Sequence, residues 1–227
     1  MSLFQDILGD INATIDRDPA ATRKLEVLLF YPGFHARLVH RFAHLIYKKR
    51  LLLIAKGLMY VVRLTTHIEI HPGAKIGPRF VIDHGAGVVI GETTEIGPDV
   101  TLYQGVTLGG TSTKKIKRHP TLVGDNVVGA GAKIIGAVEI GQGARIGAGS
   151  VVLTNVPENA TVIGVPGHIT HVKDDSNGVI QRMPDPEWER LNLLDSKMDE
   201  LNESIAHLQK HIEELHREQH ESDKSIQ

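Results

Sequence analysis

"IEIHPGAKIGPRFVIDHGAGVVIGETTEIGPDVTLYQGVTLGG" (Ile68 to Gly110) decides the fold of this chain. Aliphatic residues stand six apart at Ile70, Ile76 and Ile82, and again, after a slip of two residues, at Ile90, Ile96, Leu102 and Leu108. A second train runs Leu122, Val128, Ile134, Ile140, Ile146 and Val152. Small or branched residues follow four places later at Ala74, Ala86, Val100, Val106, Ala132, Val138, Ala144 and Ser150. This period is neither the helical one of about 3.6 nor the strand period of about 2. It marks a parallel β-helix built from hexapeptides, in which the aliphatic residue points inward. Three hexapeptides make a triangular coil, and stacked coils share one continuous core.

Between the two trains lies "GGTSTKKIKRHPT" (Gly109 to Thr121), polar and out of period. It is expected to leave the prism as a loop, and loops on rigid scaffolds are where function gathers. Before the repeat, residues 1–68 read as a helical segment. Asp18-Pro19 is expected to start a helix, with Asp as N-cap and Pro at the first helical position. "GFHARLVHRFAHLIYKKRLLLIAKGLMYVVRL" carries apolar residues at helical spacing with Arg and Lys between them. Packing onto the repeat is the plainer reading; an amphipathic helix on a membrane surface is the alternative. The repeat domain spans residues 69–171, and 172–186 read as a linker. Over 187–227, Leu191, Met198, Ile205 and Ile212 alternate with Leu194, Leu201, Leu208 and Leu215 in a 3-4 heptad pattern, which predicts a coiled-coil tail. The fold class is therefore α+β: N-terminal helices, a hexapeptide β-helix and a C-terminal coiled-coil helix.

The formal net charge is -2, which gives no general attraction to nucleic acid or to an anionic membrane. The longest apolar stretch, Leu51 to Val62, holds a Lys and is too short to span a bilayer. The start lacks the basic and apolar regions of a signal peptide. There is no cysteine, which excludes disulfides, thiolate metal sites and a thiol-linked acyl intermediate. These features fit a cytoplasmic protein.

The exceptions within the repeat point to chemistry. Asp83 and His84 sit in the two-residue slip, where the coil is deformed. Acidic residues cluster near them in sequence at Glu69, Glu92 and Glu95, and the extruded loop ends in Arg118 and His119. A neutral imidazole beside a carboxylate can take a proton from a hydroxyl. A guanidinium grips a carboxylate, and acidic side chains hold an ammonium. Together these groups suit a small zwitterion that bears a hydroxyl.

The motifs resemble those of the serine O-acetyltransferases of cysteine biosynthesis: "RDPA" (Arg17 to Ala20), "GFHA" (Gly33 to Ala36), "IDHGAGVVIGET" (Ile82 to Thr93), "VTLGGT" (Val106 to Thr111), "RHP" (Arg118 to Pro120) and "GVPGHI" (Gly164 to Ile169). They stand in the family's order and spacing over residues 17 to 171. The resemblance implies a left-handed β-helix and acetyl-CoA as cosubstrate, with no metal. It makes His84 the general base for the L-serine hydroxyl. Glu69 falls where the family has an Asp that orients this His. The resemblance assigns Arg118 to the serine carboxylate, Asp18 and Asp83 to its ammonium or to the lining of that pocket, and His119 to the serine or the developing oxyanion. Gly110, Thr111, Ala130 and Ala148 match positions where backbone groups meet the pantetheine arm. Lys114, Lys115 and Lys117 either meet CoA phosphates or are simply solvated.

The resemblance also implies a homotrimer with sites at subunit edges and L-cysteine as feedback inhibitor. The N-terminal helical segment is too short for the pairing of trimers seen in longer members. Ile at a with Leu at d suits two strands in isolated coils, but a threefold head should zip three tails together. A sulfhydrylase partner is bound in this family by a tail ending in Ile; here Gln227 follows Ile226. The competing readings are a hexapeptide acetyltransferase for a sugar or antibiotic hydroxyl, a γ-type carbonic anhydrase using His71, His84 and His119, and a non-enzymatic scaffold.

Overall fold

The structure, a computed structural model, describes residues 3–173, 179–183 and 186–225. Ile226 and Gln227 lie outside the described residues, as does the side chain of Leu215. Two compact units divide the chain, Met1–Met183 and Pro184–Gln227.

The first unit opens with four helices: α1 (Leu3–Arg17), α2 (Lys24–Phe30), α3 (Pro32–Lys48) and α4 (Leu52–Thr66). Short strands β1 (Glu69–Ile70) through β13 (Val151–Val152) then wind through three parallel sheets. The first face holds β1, β4 (Val89–Ile90), β7 (Thr107–Gly109), β10 (Lys133–Ile135) and β13. The second holds β2 (Lys75–Ile76), β5 (Glu95–Ile96), β8 (Thr121–Leu122) and β11 (Glu139–Ile140). The third starts with β3 (Val81–Ile82), β6 (Thr101–Leu102), β9 (Val127–Val128) and β12 (Arg145–Ile146). It continues into β14 (Ala160–Ile163), β15 (His168–Lys173) and β16 (Ile180–Arg182).

Register accounts for the sequence period. Ile90 sits beside Leu108, and Ile134 beside Val152, eighteen positions or three hexapeptides on. Ile70 pairs with Ile90, twenty positions on, so the slip is one coil with two extra residues. Leu108 pairs with Ile134, twenty-six on, so the extruded loop adds eight. Of the repeating aliphatics, all but half-buried Ile76 are at most 5 % exposed, and the prism is filled by one chain's own side chains. Inside the slip the inward position moves. Ala86 is exposed and Val88 is fully buried, because the two extra residues displace the inward register by two. Asn126 also points inward, with its amide satisfied by Gly141 O at 2.7 Å, Ala144 O at 3.3 Å and Gly124 N at 3.1 Å.

The helices dock through a buried ionic seam. Arg41 grips Asp10 with Nη2 at 2.6 Å and Nε at 2.9 Å, and Arg37 Nε lies 3.6 Å from the same carboxylate. Arg37 Nη2 donates to Ile76 O and Gly77 O, each at 2.9 Å, so α3 is tied to the second face. Burial pushes the Arg37 guanidinium down to about 10, against the pull of Asp10. Gly33 lets α3 touch β3, since a Cβ there would run into the carbonyl of Ile82. No described helix is long and apolar enough to cross a membrane.

Asp18 does not start a helix, which corrects the expected N-cap. α1 ends at Arg17, and Asp18 Oδ1 accepts from Ala20 N at 2.8 Å. An Asx turn uses the same side-chain bond that a helix cap would, so the local signal serves both. The stretch read as a linker also holds strand: β16 pairs antiparallel with β15 through His171 and Arg182.

The second unit is one helix, α5 (Pro186–Ser225). Leu191, Leu194, Met198, Leu201, Ile205, Leu208 and Ile212 are each 51–62 % exposed along it.

Candidate active site

The winding distributes the candidate residues over two edges of the prism. Asp83 and His84 form the turn from β3 on the third face to β4 on the first. Ala130 (after β9) and Ala148 (after β12) occupy the same edge further along, and Gly149 N donates to Ala130 O at 2.8 Å. Arg118 and His119 lie on the next edge, where the first face turns into the second, just before β8. Gly110 and Thr111 begin the loop at that same edge. A face about five residues wide separates the edges, on the order of 15 Å at a strand rise of about 3.3 Å. One chain therefore carries its candidate residues in two separate groups. The acidic cluster of the sequence is divided likewise. Asp83 belongs to the first edge, whereas Glu92 and Glu95 belong to the second, where Glu95 pairs with Lys75 at 2.9 Å.

On the His84 edge, His84 has φ 57, a left-handed backbone that non-glycine residues seldom adopt. Its ring is exposed and makes no hydrogen bond among the described residues. Two carboxylates, Asp18 and Asp83, act on Tyr31. Asp18 Oδ2 accepts from Tyr31 Oη at 2.7 Å. That bond, then burial, then the charges of Asp18, Glu26 and Asp83, push the Tyr31 phenol up to about 12. Asp18, Tyr31 and Asp83 thus share one negative corner. Glu69, at the start of β1, ion-pairs with Arg63 at 3.1 Å and makes no hydrogen bond to His84 among the described residues. Both partners are about half exposed, so that pair is weak and easily rearranged.

The His119 edge is more tightly built. Arg118 Nη2 donates to Glu92 Oε2 at 2.6 Å, and Tyr47 Oη to Glu92 Oε1 at 3.2 Å. The Arg118 bond is the main reason that the Glu92 carboxyl is held below its usual range. His119 is 8 % exposed and packs against Gly91, where a Cβ would overlap the ring. Burial is the main cause of its lowered pKa, followed by the Arg118 charge. Lys117 is not free for a phosphate: its Nζ donates to Thr93 O at 2.6 Å and Pro120 O at 3.3 Å. A cleft of about 350 Å³ adjoins this edge, lined by Tyr47, Glu92, Thr93 and Lys117 among others. His71 is on this edge too, its Nδ1 accepting from Gly73 N at 3.0 Å. Among the described residues no three His, Asp or Glu side chains are grouped to hold a metal ion.

Sequence reasoning missed Tyr31, Tyr47 and Thr93. Thr93 stood inside a quoted motif, but a Thr in a turn carries no chemical signal of its own. The two edges thus carry different groups: carboxylates and an unbonded imidazole on one, a paired guanidinium and a buried imidazole on the other.

Comparison with known proteins places the chain as a whole. Residues 1–37 match the family described as serine acetyltransferase, N-terminal. A serine acetyltransferase of Bacillus licheniformis is 48 % identical over 207 residues, covering 89 % of this chain and 95 % of that protein. One from Helicobacter pylori strain J99 is 56 % identical over 159 residues, covering 70 % and 93 %. The crystal structure of the Vibrio cholerae serine acetyltransferase aligns with a TM-score of 0.74 at 40 % identity, covering 76 % of this chain and 67 % of that one. Related serine acetyltransferase structures have been solved in complex with cysteine, with coenzyme A (Brucella abortus) and with serine (soybean), at 43 %, 42 % and 41 % identity. With nearly half its residues identical to relatives matched along almost their whole length, this chain belongs to the serine acetyltransferase family.

Proposed function

We propose that this protein transfers the acetyl group of acetyl-CoA to the hydroxyl of L-serine, giving O-acetyl-L-serine and CoA. The observation that carries the reading is the pairing of chemistries on the two edges: Asp18, Asp83 and an unbonded imidazole on one, Arg118 and His119 on the other. Neither half suffices, so the His84 edge of one subunit meets the His119 edge of the next in a homotrimer. Family membership supports a left-handed winding and a cytoplasmic enzyme.

In this reading Asp18 and Asp83 hold the serine ammonium, and Arg118 binds its carboxylate while Glu92 and Tyr47 keep the guanidinium in place. His84, neutral and oriented by Glu69 once that side chain leaves Arg63, takes the hydroxyl proton. The serine oxygen attacks the thioester carbonyl, and His119 steadies the oxyanion. Collapse breaks the C–S bond, and the CoA thiolate takes the proton back from His84. Gly110, Thr111, Ala130 and Ala148 leave room for the pantetheine arm. L-cysteine fits the same pocket with a thiol where serine has its hydroxyl, and acts as an inhibitor there. The heptad stripe of α5 joins three tails in a coiled coil. The test is CoA release from acetyl-CoA with L-serine. His84→Ala should lower kcat by roughly 10²–10⁴-fold. Unchanged turnover in that variant, or none in the wild type, would overturn the reading.

A further inference from the structure

We propose that Thr93 is a positioning residue that locks His119 in one neutral tautomer, with Nδ1 as acceptor and the ring proton on Nε2. The inference rests on the reading above, in which His119 meets the serine or the oxyanion, and it specifies how.

The hydrogen bonds leave a single assignment. The backbone N–H of Thr93 lies 3.2 Å from His119 Nδ1, and an N–H can only donate. Thr93 Oγ1 accepts from Arg118 N at 3.0 Å and from His119 N at 3.1 Å, which occupies both its lone pairs. Its own proton is then directed at His119 Nδ1, 2.9 Å away. Two donors converge on Nδ1. A proton there would face another N–H, so the neutral ring carries its proton on Nε2. The ring is clamped against Gly91, with Gly110 close by Nε2: a Cβ on Gly110 would lie 3.1 Å from it. Nε2 has no partner among the described residues and is not sealed from the surface.

The surroundings favour this state. Burial and the charges of Arg118, Lys117 and His71 disfavour an imidazolium, and only Glu92 favours one. A second proton would have to enter at Nδ1 and displace both Thr93 donors. His119 can therefore give a hydrogen bond to a substrate oxygen but cannot take a proton from it at Nε2. That divides the labour between the two imidazoles: His84, with no fixed hydrogen bond, is free to act as base, and His119 is held as a donor.

The test uses the full chain with ¹⁵N-labelled histidine. The wild-type spectrum, recorded without substrate, should show the neutral Nε2–H tautomer for His119, and it should persist below the ordinary histidine pKa of about 6.5. Thr93→Val keeps the side chain's shape and the backbone donor but removes the hydroxyl. It should mix the tautomers, move the acid limb of kcat to higher pH and lower kcat roughly tenfold with little change in KM for serine. Thr93→Ser should restore all three. A wild-type spectrum with the proton on Nδ1, or an imidazolium at pH 7, overturns the lock without reference to any variant. So does a Thr93→Val protein whose tautomer and pH profile match the wild type. His119→Ala separates the two layers. Full activity there would remove His119 from the substrate and overturn the reading beneath the proposal, while the wild-type spectrum still judges the lock itself.

Discussion

The prism and the tail are both repeats with aliphatic residues at fixed spacing, yet they end in opposite states. In the prism Leu102, Leu108, Leu122, Val128, Ile134 and Ile140 have no solvent exposure at all. In α5 Leu201, Ile205 and Leu208 are more than half exposed. The difference lies in closure. Three hexapeptides bring the chain back beneath itself, so each inward residue finds neighbours from its own coil and from the coils on either side. A heptad lays its apolar stripe along one side of a straight rod, and a straight rod cannot cover its own side. A closed repeat completes its core within itself; an open one leaves its stripe uncovered by its own helix.

One substitution made in both repeats gives the largest effect. Ile134→Ala opens a cavity in a fully buried site, and should cost the first unit about 2–5 kcal/mol. For a unit of this size Tm should fall by roughly 2–4 °C per kcal/mol. Ile205→Ala, on a position 51 % exposed, should leave the melting of the first unit within about 0.5 kcal/mol of wild type. Differential scanning calorimetry of the two variants decides. Equal losses would mean that the tail's aliphatics belong to the same cooperative core, and the contrast would collapse.

Acid should distinguish the regions next, through a group buried only in the first. His40 is 1 % exposed, its Nδ1 bonded to Arg37 Nη1 at 3.2 Å. Burial above all, then the charges of Arg37, His44 and Arg41, set its pKa well below the usual histidine value, while the Ala74 backbone pulls the other way. The folded state thus keeps His40 neutral, whereas the unfolded chain protonates it near pH 6.5. Its contribution to stability is complete above that pH and is lost as pH falls towards the folded value. The slope is at most about 1.4 kcal/mol per pH unit. His40→Gln should flatten this loss in urea titrations between about pH 5 and 6.5. An unchanged slope would assign the acid sensitivity to other groups.

Much of this could be counted from the sequence. The six-residue period located the inward aliphatics, and the two departures from it marked the deformed turn and the extruded loop. Which residue faced inward inside the slip could not be counted: Ala86 and Val88 are both small enough, and only the displaced register chose Val88. The candidate site was legible as residue types but not as an arrangement. Asp83 and Glu92 are nine positions apart, and closeness along the chain suggested one cluster; the corner between β3 and β4 sends them to different edges. Asp18 was found, but its partner Tyr31 lies thirteen positions on, beyond the whole of α2, and carries no motif. Thr93 meets Arg118 and His119 across a coil lengthened by the loop, twenty-five and twenty-six positions away, beyond the reach of any local pattern.

Removing the tail should have the smallest effect on the prism and the clearest effect on assembly. The described aliphatic residues of the α5 stripe are more than half exposed. A chain ending at Met183 should therefore melt within a degree or two of the full-length protein, and keep its activity at high concentration. Its response to dilution should differ. Three tails joined in a coil make reassociation of the heads effectively intramolecular, at an effective concentration of order millimolar for short links. Without them the proposed trimer should dissociate at higher protein concentration, as a falling mass in light scattering and a falling specific activity at the same dilution. The two must fall together, because each half-site would lose its complement when the subunits part. A shortened chain that loses mass on dilution but keeps full specific activity would show that one prism holds a whole site, and the division of chemistry between two edges would no longer require a neighbour.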